Sequence, residues 1–228
     1  KVLITGSNAT MMSRELGTRL TGRNIRHELY PFSYGEFRKL KKLKPSEKSF
    51  EKYLEYGGFP EYLKTGDTEI LRNLFLDIFY RDIVVRNDIK NESDLKSLLS
   101  YVSSNIGKTF SYNKIGNVLG IKSVHTVTQF INACENAFLF FPVKIFDYSV
   151  KKQMANPKKI YCIDNALIRL NSFSASPDYG RLLENHVFLE LKRRKKETYY
   201  YNKNKECDFI IKEKNTIKKQ KKKNGRNL

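Results

Sequence analysis

Between Leu95 and Ile163 the chain spaces apolar residues as a helix does three times over, then turns into a dense apolar run. Few folds accommodate that succession. Leu95 to Ile106 is the first helical stretch. Ser111 to Leu119 is a short second one that stops at Gly120, a residue suited to a left-handed helix end. The third runs from Ser123 to Asn136, with Val124, Val127, Ile131 and Cys134 on its inward side. Ala137 to Phe146 is rich in Phe and Val, which suit strands, and Lys159 to Ile163 is its expected partner. Three helices and a two-stranded hairpin predict a winged helix over residues 91–170.

The flanks read differently. Val2 to Thr5 is apolar without alternation, as in a buried parallel strand, and runs into Gly6-Ser7-Asn8. Met11 to Leu20 reads as a helix ending at Thr21-Gly22-Arg23, and Ile25 to Tyr30 as a second strand. From residue 31 to 90 the pattern is helical. Ser33 caps a helix through Leu40, and Phe50 to Tyr56 forms another. Thr68 to Val85 carries a broad apolar stripe of Leu71, Leu74, Phe75, Ile78, Phe79 and Ile83. Between these helices, Gly57-Gly58-Phe59-Pro60-Glu61 predicts a turn whose glycines serve packing and whose proline opens the next helix. Ser172 to Pro177 reads as a linker, Tyr179 to Lys195 as a long helix, and Thr198 to Asn202 and Glu206 to Lys212 as strands. Residues 213–228 lack periodicity and predict a disordered basic tail.

Charge narrows the partners. The 228 residues carry a formal net charge of +19, of which about +7 lies between Lys212 and Leu228. The remaining body is still basic, which favours anionic partners such as nucleic acid. A Lys/Asn-rich composition alone is the simpler source of part of that charge. Cys134, Cys162 and Cys207 match neither a zinc spacing nor a disulfide framework, which fits a reducing cytoplasm. His27, His125 and His186 stand apart in sequence and predict no metal site. No apolar run approaches the ~18 residues of a membrane span, so no membrane partner is expected. Gly107-Lys108-Thr109 is not a phosphate loop, because the required earlier glycine is Val102 and a helix rather than a strand precedes it.

Several segments in order carry a family resemblance: "VLITGSN", "LTGR", "LYPFSYGEF", "YGGFPEYL", "RDIVVRNDI", "KKIYCIDNAL" and "LLENHVFLELKRR" followed by "YYYNKNKECDFII". Over residues 1 to about 212 the chain resembles archaeal and bacterial P-loop ATPases of the AAA superfamily that carry a C-terminal domain of unknown function. The resemblance implies an α/β fragment of a P-loop ATPase core in residues 1–30, a helical lid in 31–90 and a winged helix in 91–170. It also implies a partial restriction-endonuclease-like α/β domain in 171–212. Neither Walker motif occurs in these 228 residues, so the chain is expected to be truncated at both ends. In the intact relative ATP and Mg²⁺ would be bound; none is expected on this fragment.

The resemblance also assigns roles. Ser7 or Asn8 would be the sensor beside the γ-phosphate, a post suited to a neutral hydrogen-bonder; the alternative is a capped turn. Arg23 would be an arginine finger, or else a cation favoured at a helix C-terminus. In the last segment, Glu184 on the inward helical stripe and Asp208 before Phe209 resemble the helix and strand carboxylates of a PD-(D/E)xK nuclease. The Glu-x-Lys element is missing, so the pair reads as vestigial, or as a structural partner of Arg181 or Lys192.

For the winged helix, DNA contacts are expected from Lys122, His125, Thr128, Gln129 and Asn132 around the third helix, and from Lys144, Lys151 and Lys152 in or after the wing. The functional expectation is an AAA-type ATP-binding protein acting on or near DNA, inactive in ATP hydrolysis as this fragment. The alternatives are a non-enzymatic basic winged-helix module that binds nucleic acid or protein, and a Mg²⁺-dependent nuclease. DNA and a second copy of the chain are the expected partners.

Overall fold

The computed structural model describes residues 5–6, 25, 27–173, 176–202, 206–213 and 216–220. Ser7, Asn8, Arg23, the helix expected over residues 11–20 and most of the first strand lie outside them.

The helical block follows its caps. Ser33 and Glu36 form a reciprocal capping box that opens α1 (Tyr34–Lys41), and Ser46 with Ser49 does the same for α2 (Glu47–Tyr56). Pro60 starts α3 (Pro60–Thr65), and Asp67 caps α4 (Thr68–Asp77). The helix expected to run on to Val85 instead widens into a π-helix over Ile78–Val85. The wider turn lets Asp82, Ile83 and Val84 be buried in succession beside Phe79.

The next elements are α5 (Glu92–Ser104), β1 (Thr109–Phe110), α6 (Tyr112–Leu119), α7 (Val124–Asn136), β2 (Phe140–Val143), α8 (Val150–Ala155) and β3 (Lys158–Cys162). The three strands form an antiparallel sheet in the order β1-β3-β2. In register, Phe140 faces Cys162, Val143 faces Lys159, and Thr109 faces Lys159 from the other side. Pro142 sits on the edge strand β2, where a missing N–H costs no ladder bond. Val127, Ile131 and Cys134 of α7 are buried as the spacing predicts, whereas Val124 is exposed in the first turn.

The expected strand from Ala137 to Phe146 divides in two. Phe138 takes a left-handed φ of 56° that turns the chain before β2. Beyond β2, Ile145 bridges in parallel to Tyr200, with Tyr200 N donating to Lys144 O at 3.1 Å and Phe146 N donating to Tyr200 O at 2.7 Å. These bonds join the first sheet to a second.

That second sheet follows α9 (Asn165–Asn171) and α10 (Tyr179–Arg193) as the meander β4 (Glu197–Asn202), β5 (Glu206–Glu213) and β6 (Thr216–Gln220). β6 corrects the expectation of disorder from residue 213: its backbone pairs with β5 from Phe209–Gln220 to Glu213–Thr216 and covers an edge that would otherwise be open. A second correction concerns Ile25 to Tyr30. The described residues there form no strand, and Ile25 and Leu29 are exposed. A parallel-type strand needs neighbours, and among the described residues none lies beside it.

One contiguous apolar cluster runs from Leu54 to Ile211, and Phe37, Tyr53 and Leu63 form a smaller one. A buried polar junction ties the helical block to β3 and α10. Asp164 accepts from Gly58 N at 2.7 Å and from Ala166 N at 2.8 Å. A Cβ at Gly57 would lie 1.8 Å from Asp164 Oδ1, and one at Gly58 would lie 2.3 Å from Phe32 O. The turn therefore requires both glycines. Asn165 Nδ2 donates to the carbonyls of Leu54 and Leu182, and Asn185 bonds both backbone groups of Cys162.

Burial pushes the Asp164 carboxyl up to about 7. The folded chain therefore holds a proton there at pH values where the unfolded chain has released it. This group's contribution to stability is fullest below about pH 4 and declines as pH rises towards 7. Urea unfolding from pH 4 to 8 should show that decline, and Asp164→Asn should flatten it.

Candidate functional site

Lys159, Tyr161, Glu184 and Asp208 come from three elements that the fold brings together. β3 supplies Lys159 and Tyr161, two positions apart and so on one face of the strand. α10 supplies Glu184, on the side where Phe188 and Leu191 are buried and Val187 partly so. β5 supplies Asp208 and, at its start, Glu206.

Lys159 Nζ lies 3.1 Å from Glu184 Oε1, 3.0 Å from Asp208 Oδ1 and 3.6 Å from Glu206 Oε1. Its side chain is 3% exposed, against 11% for Glu184 and 19% for Asp208, while Glu206 is open to solvent. The Tyr161 hydroxyl donates to Glu184 Oε1 at 2.7 Å, and its ring stacks on Phe188 with centroids 4.6 Å apart. Gly107, at φ 76°, closes over the site; a Cβ there would lie 3.1 Å from Glu184 Oε1.

The electrostatics follow from the burial. Burial works against the Lys159 ammonium, but Glu184 and Asp208 outweigh it and raise its affinity for the proton above the ordinary lysine value. Burial first, and then the adjacent Glu184, push the Tyr161 phenol well up, so it stays a hydrogen-bond donor.

Glu184 and Asp208 meet on Lys159, and not on Arg181 or Lys192, the structural partners expected from the sequence. Arg181 instead pairs with Asp178 and donates to Ser104 O, and Lys192 lies over the Phe141 ring. Lys159 Nζ takes one oxygen of each carboxylate, so the two acids serve here as its counter-charges. Among the described residues no group of three metal-ligating side chains is suited to hold a metal ion. In sequence Lys159 is the second of two lysines that run into the apolar Ile160, Tyr161 and Cys162, which gives no sign of its partners 25 and 49 residues away.

The other expected contact residues lie on the α5–β3 unit. On α7, His125, Gln129 and Asn132 are exposed, while Thr128 is half-buried and its hydroxyl donates to Val124 O. Lys122, Lys144, Lys151 and Lys152 are exposed. Lys144 follows β2 and lies near Lys158, whose pKa is lowered by burial and by that neighbouring charge.

His186 packs edge-on against Phe50 and Tyr53, and burial pushes its pKa down to about 4, so it is a neutral core ring. Cys134 and Cys162 are buried, and desolvation raises both thiols. No helix among the described residues is long and apolar enough to cross a membrane.

Comparison with known proteins places these residues in context. A family model described as "Domain of unknown function (DUF8612)" matches residues 47–176, and one described as "AAA domain" matches residues 1–38. An uncharacterized protein of Haemophilus influenzae is 34% identical over 204 residues, which cover 85% of this chain and 51% of that protein. An uncharacterized protein of Methanocaldococcus jannaschii is 33% identical over 236 residues, covering 92% and 52%. The chain spans about half the length of these curated relatives. No solved structure matches.

Replacing Lys159 by Met should strand two largely buried carboxylates without a counter-charge. The expected loss of stability is about 3–5 kcal/mol at neutral pH. Urea unfolding measures it, with Glu184→Gln in the same background expected to restore part of the loss.

Proposed function

Residues 47–176 place this chain in the DUF8612 family, behind a segment that matches the AAA domain, and we propose that it is the DNA-contacting C-terminal portion of an AAA-type ATP-binding protein. The observation that carries this reading is the order α5-β1-α6-α7-β2-α8-β3 with the sheet order β1-β3-β2. That order supports a winged-helix reading, in which the third helix would enter the major groove and the β2–β3 connection would be the wing.

The side chains support it. His125, Gln129 and Asn132 stand exposed on α7, and amide side chains pair with adenine in the major groove. Lys122, Lys144, Lys151 and Lys152 supply charge for phosphates.

ATP chemistry belongs to the longer protein in this reading. Ser7 or Asn8 would orient the attacking water and Arg23 would stabilise charge on the transferred phosphoryl group. ATP itself would need a phosphate loop, and these 228 residues contain none. Glu184 and Asp208 serve as the two acceptors of a buried lysine and not as a nuclease centre.

Two measurements test this. Fluorescence anisotropy on duplex DNA should show affinity falling steeply with salt, surviving deletion of residues 221–228, which leaves β6 in place. Replacing Lys151 and Lys152 together by Ala should reduce the salt slope by about 2. Loss of all binding on the tail deletion would reduce the interaction to the tail. ATP hydrolysis by the purified chain should not exceed background; turnover that disappears on Arg23→Ala would overturn the assignment of ATP chemistry to the longer protein.

A further inference from the structure

The connection between β2 and β3 presents apolar side chains where a charged loop would suffice. Tyr148 is 88% exposed, Val150 67% and Met154 64%, all within seven residues. Single exposed apolar residues are ordinary, but three on one short connection are not. The exposed Lys144, Lys151 and Lys152 flank them. Asp147 is the single acid between Lys144 and Pro157, and its carboxylate accepts from Ser149 N at 3.0 Å.

The turn is built rather than loose. Gln153 Nε2 donates to Asp147 O at 2.6 Å, and Ser149 caps α8 by accepting from Lys152 N. The bonds of Lys144 and Phe146 to Tyr200 anchor the segment's base. The Tyr148 ring meets Phe146 edge-on at 5.4 Å, and Phe146 meets Tyr199 edge-on at 5.8 Å. Tyr148 thus rests on Phe146, which Tyr199 supports in turn, and it offers its open surface outward.

Resting on the DNA reading above, we infer that Tyr148 is a stacking platform for an unpaired base, and that the preferred ligand is duplex DNA that runs into single strand. An aromatic face with lysines beside it matches a base between phosphates. In an intact duplex the base faces are covered, and exposing one costs a few kcal/mol. A junction offers duplex to α7 and an accessible base to the wing at once.

The test compares a blunt duplex, a single strand and a duplex with a single-stranded overhang, carrying 2-aminopurine at the junction. The full chain should bind the overhang substrate more tightly than the blunt duplex and quench the probe. Tyr148→Ala should weaken overhang binding by about tenfold and abolish the quench, with blunt-duplex affinity unchanged. Tyr148→Phe should behave as wild type, since stacking needs no hydroxyl.

Equal loss on both substrates, or no loss on the overhang, would overturn the platform while leaving the DNA reading standing. Absence of any salt-dependent binding to the blunt duplex would instead remove the DNA reading and the platform with it. Binding to phosphatidylserine vesicles that depends on Tyr148, with no junction preference, would assign the patch to a lipid surface and overturn the proposal.

Discussion

A buried ammonium is costly, and Lys159 Nζ is tolerated because two carboxylates from separate elements converge on it. Glu184 comes from α10 and Asp208 from β5, while Lys159 lies on the central strand of the first sheet. The ion-pair cluster therefore fixes three elements relative to one another. Removing any member leaves the others uncompensated, which constrains the position of the meander on the first sheet more sharply than apolar contact would. Tyr161 adds a direct hydrogen bond to Glu184 and a stacked contact with Phe188 on the same helix.

The same strand leads into the second polar junction. Three residues after Tyr161 comes Asp164, which holds the Gly57–Gly58 turn by its carboxylate and starts α9 by the same group. Apolar packing alone leaves the sliding of helices weakly specified; hydrogen bonds to backbone groups do not. β3 and its exit thus anchor the helical block at one end and the C-terminal sheet at the other. Gly57 and Gly107 show the same geometric demand, each giving up a side chain so that a carboxylate can approach the backbone.

Local signals were legible and distant ones were not. Ser33 caps its helix as expected, and Ser111 and Ser123, read as the first residues of theirs, stand at the caps, because a cap acts on the next few residues. The apolar stripe of α4 was visible, but the widening into a π-helix was not, since it depends on what Asp82 and Val84 pack against. β1 is only two residues long and exists because Lys158 and Lys159 pair with it. Glu184 and Asp208 were legible as chemically expensive residues on inward faces. Their shared counter-ion was not, because no periodicity links Lys159 to positions 25 and 49 residues away.

The charge distribution gives the fold a direction. On the side of α10 and β5 the acids are spent internally on Lys159. Asp147 accepts from Ser149 N within its own turn, and Lys144, Lys151 and Lys152 around it are exposed. A protein whose acids are consumed in holding itself together presents its surplus cations outward, and here they accompany exposed rings. Contact with an anionic polymer then requires no rearrangement of the cluster that positions the wing. Loss of the Lys159 cluster would cost the fold one of the contacts between its two sheets, beside the bonds of Lys144 and Phe146 to Tyr200.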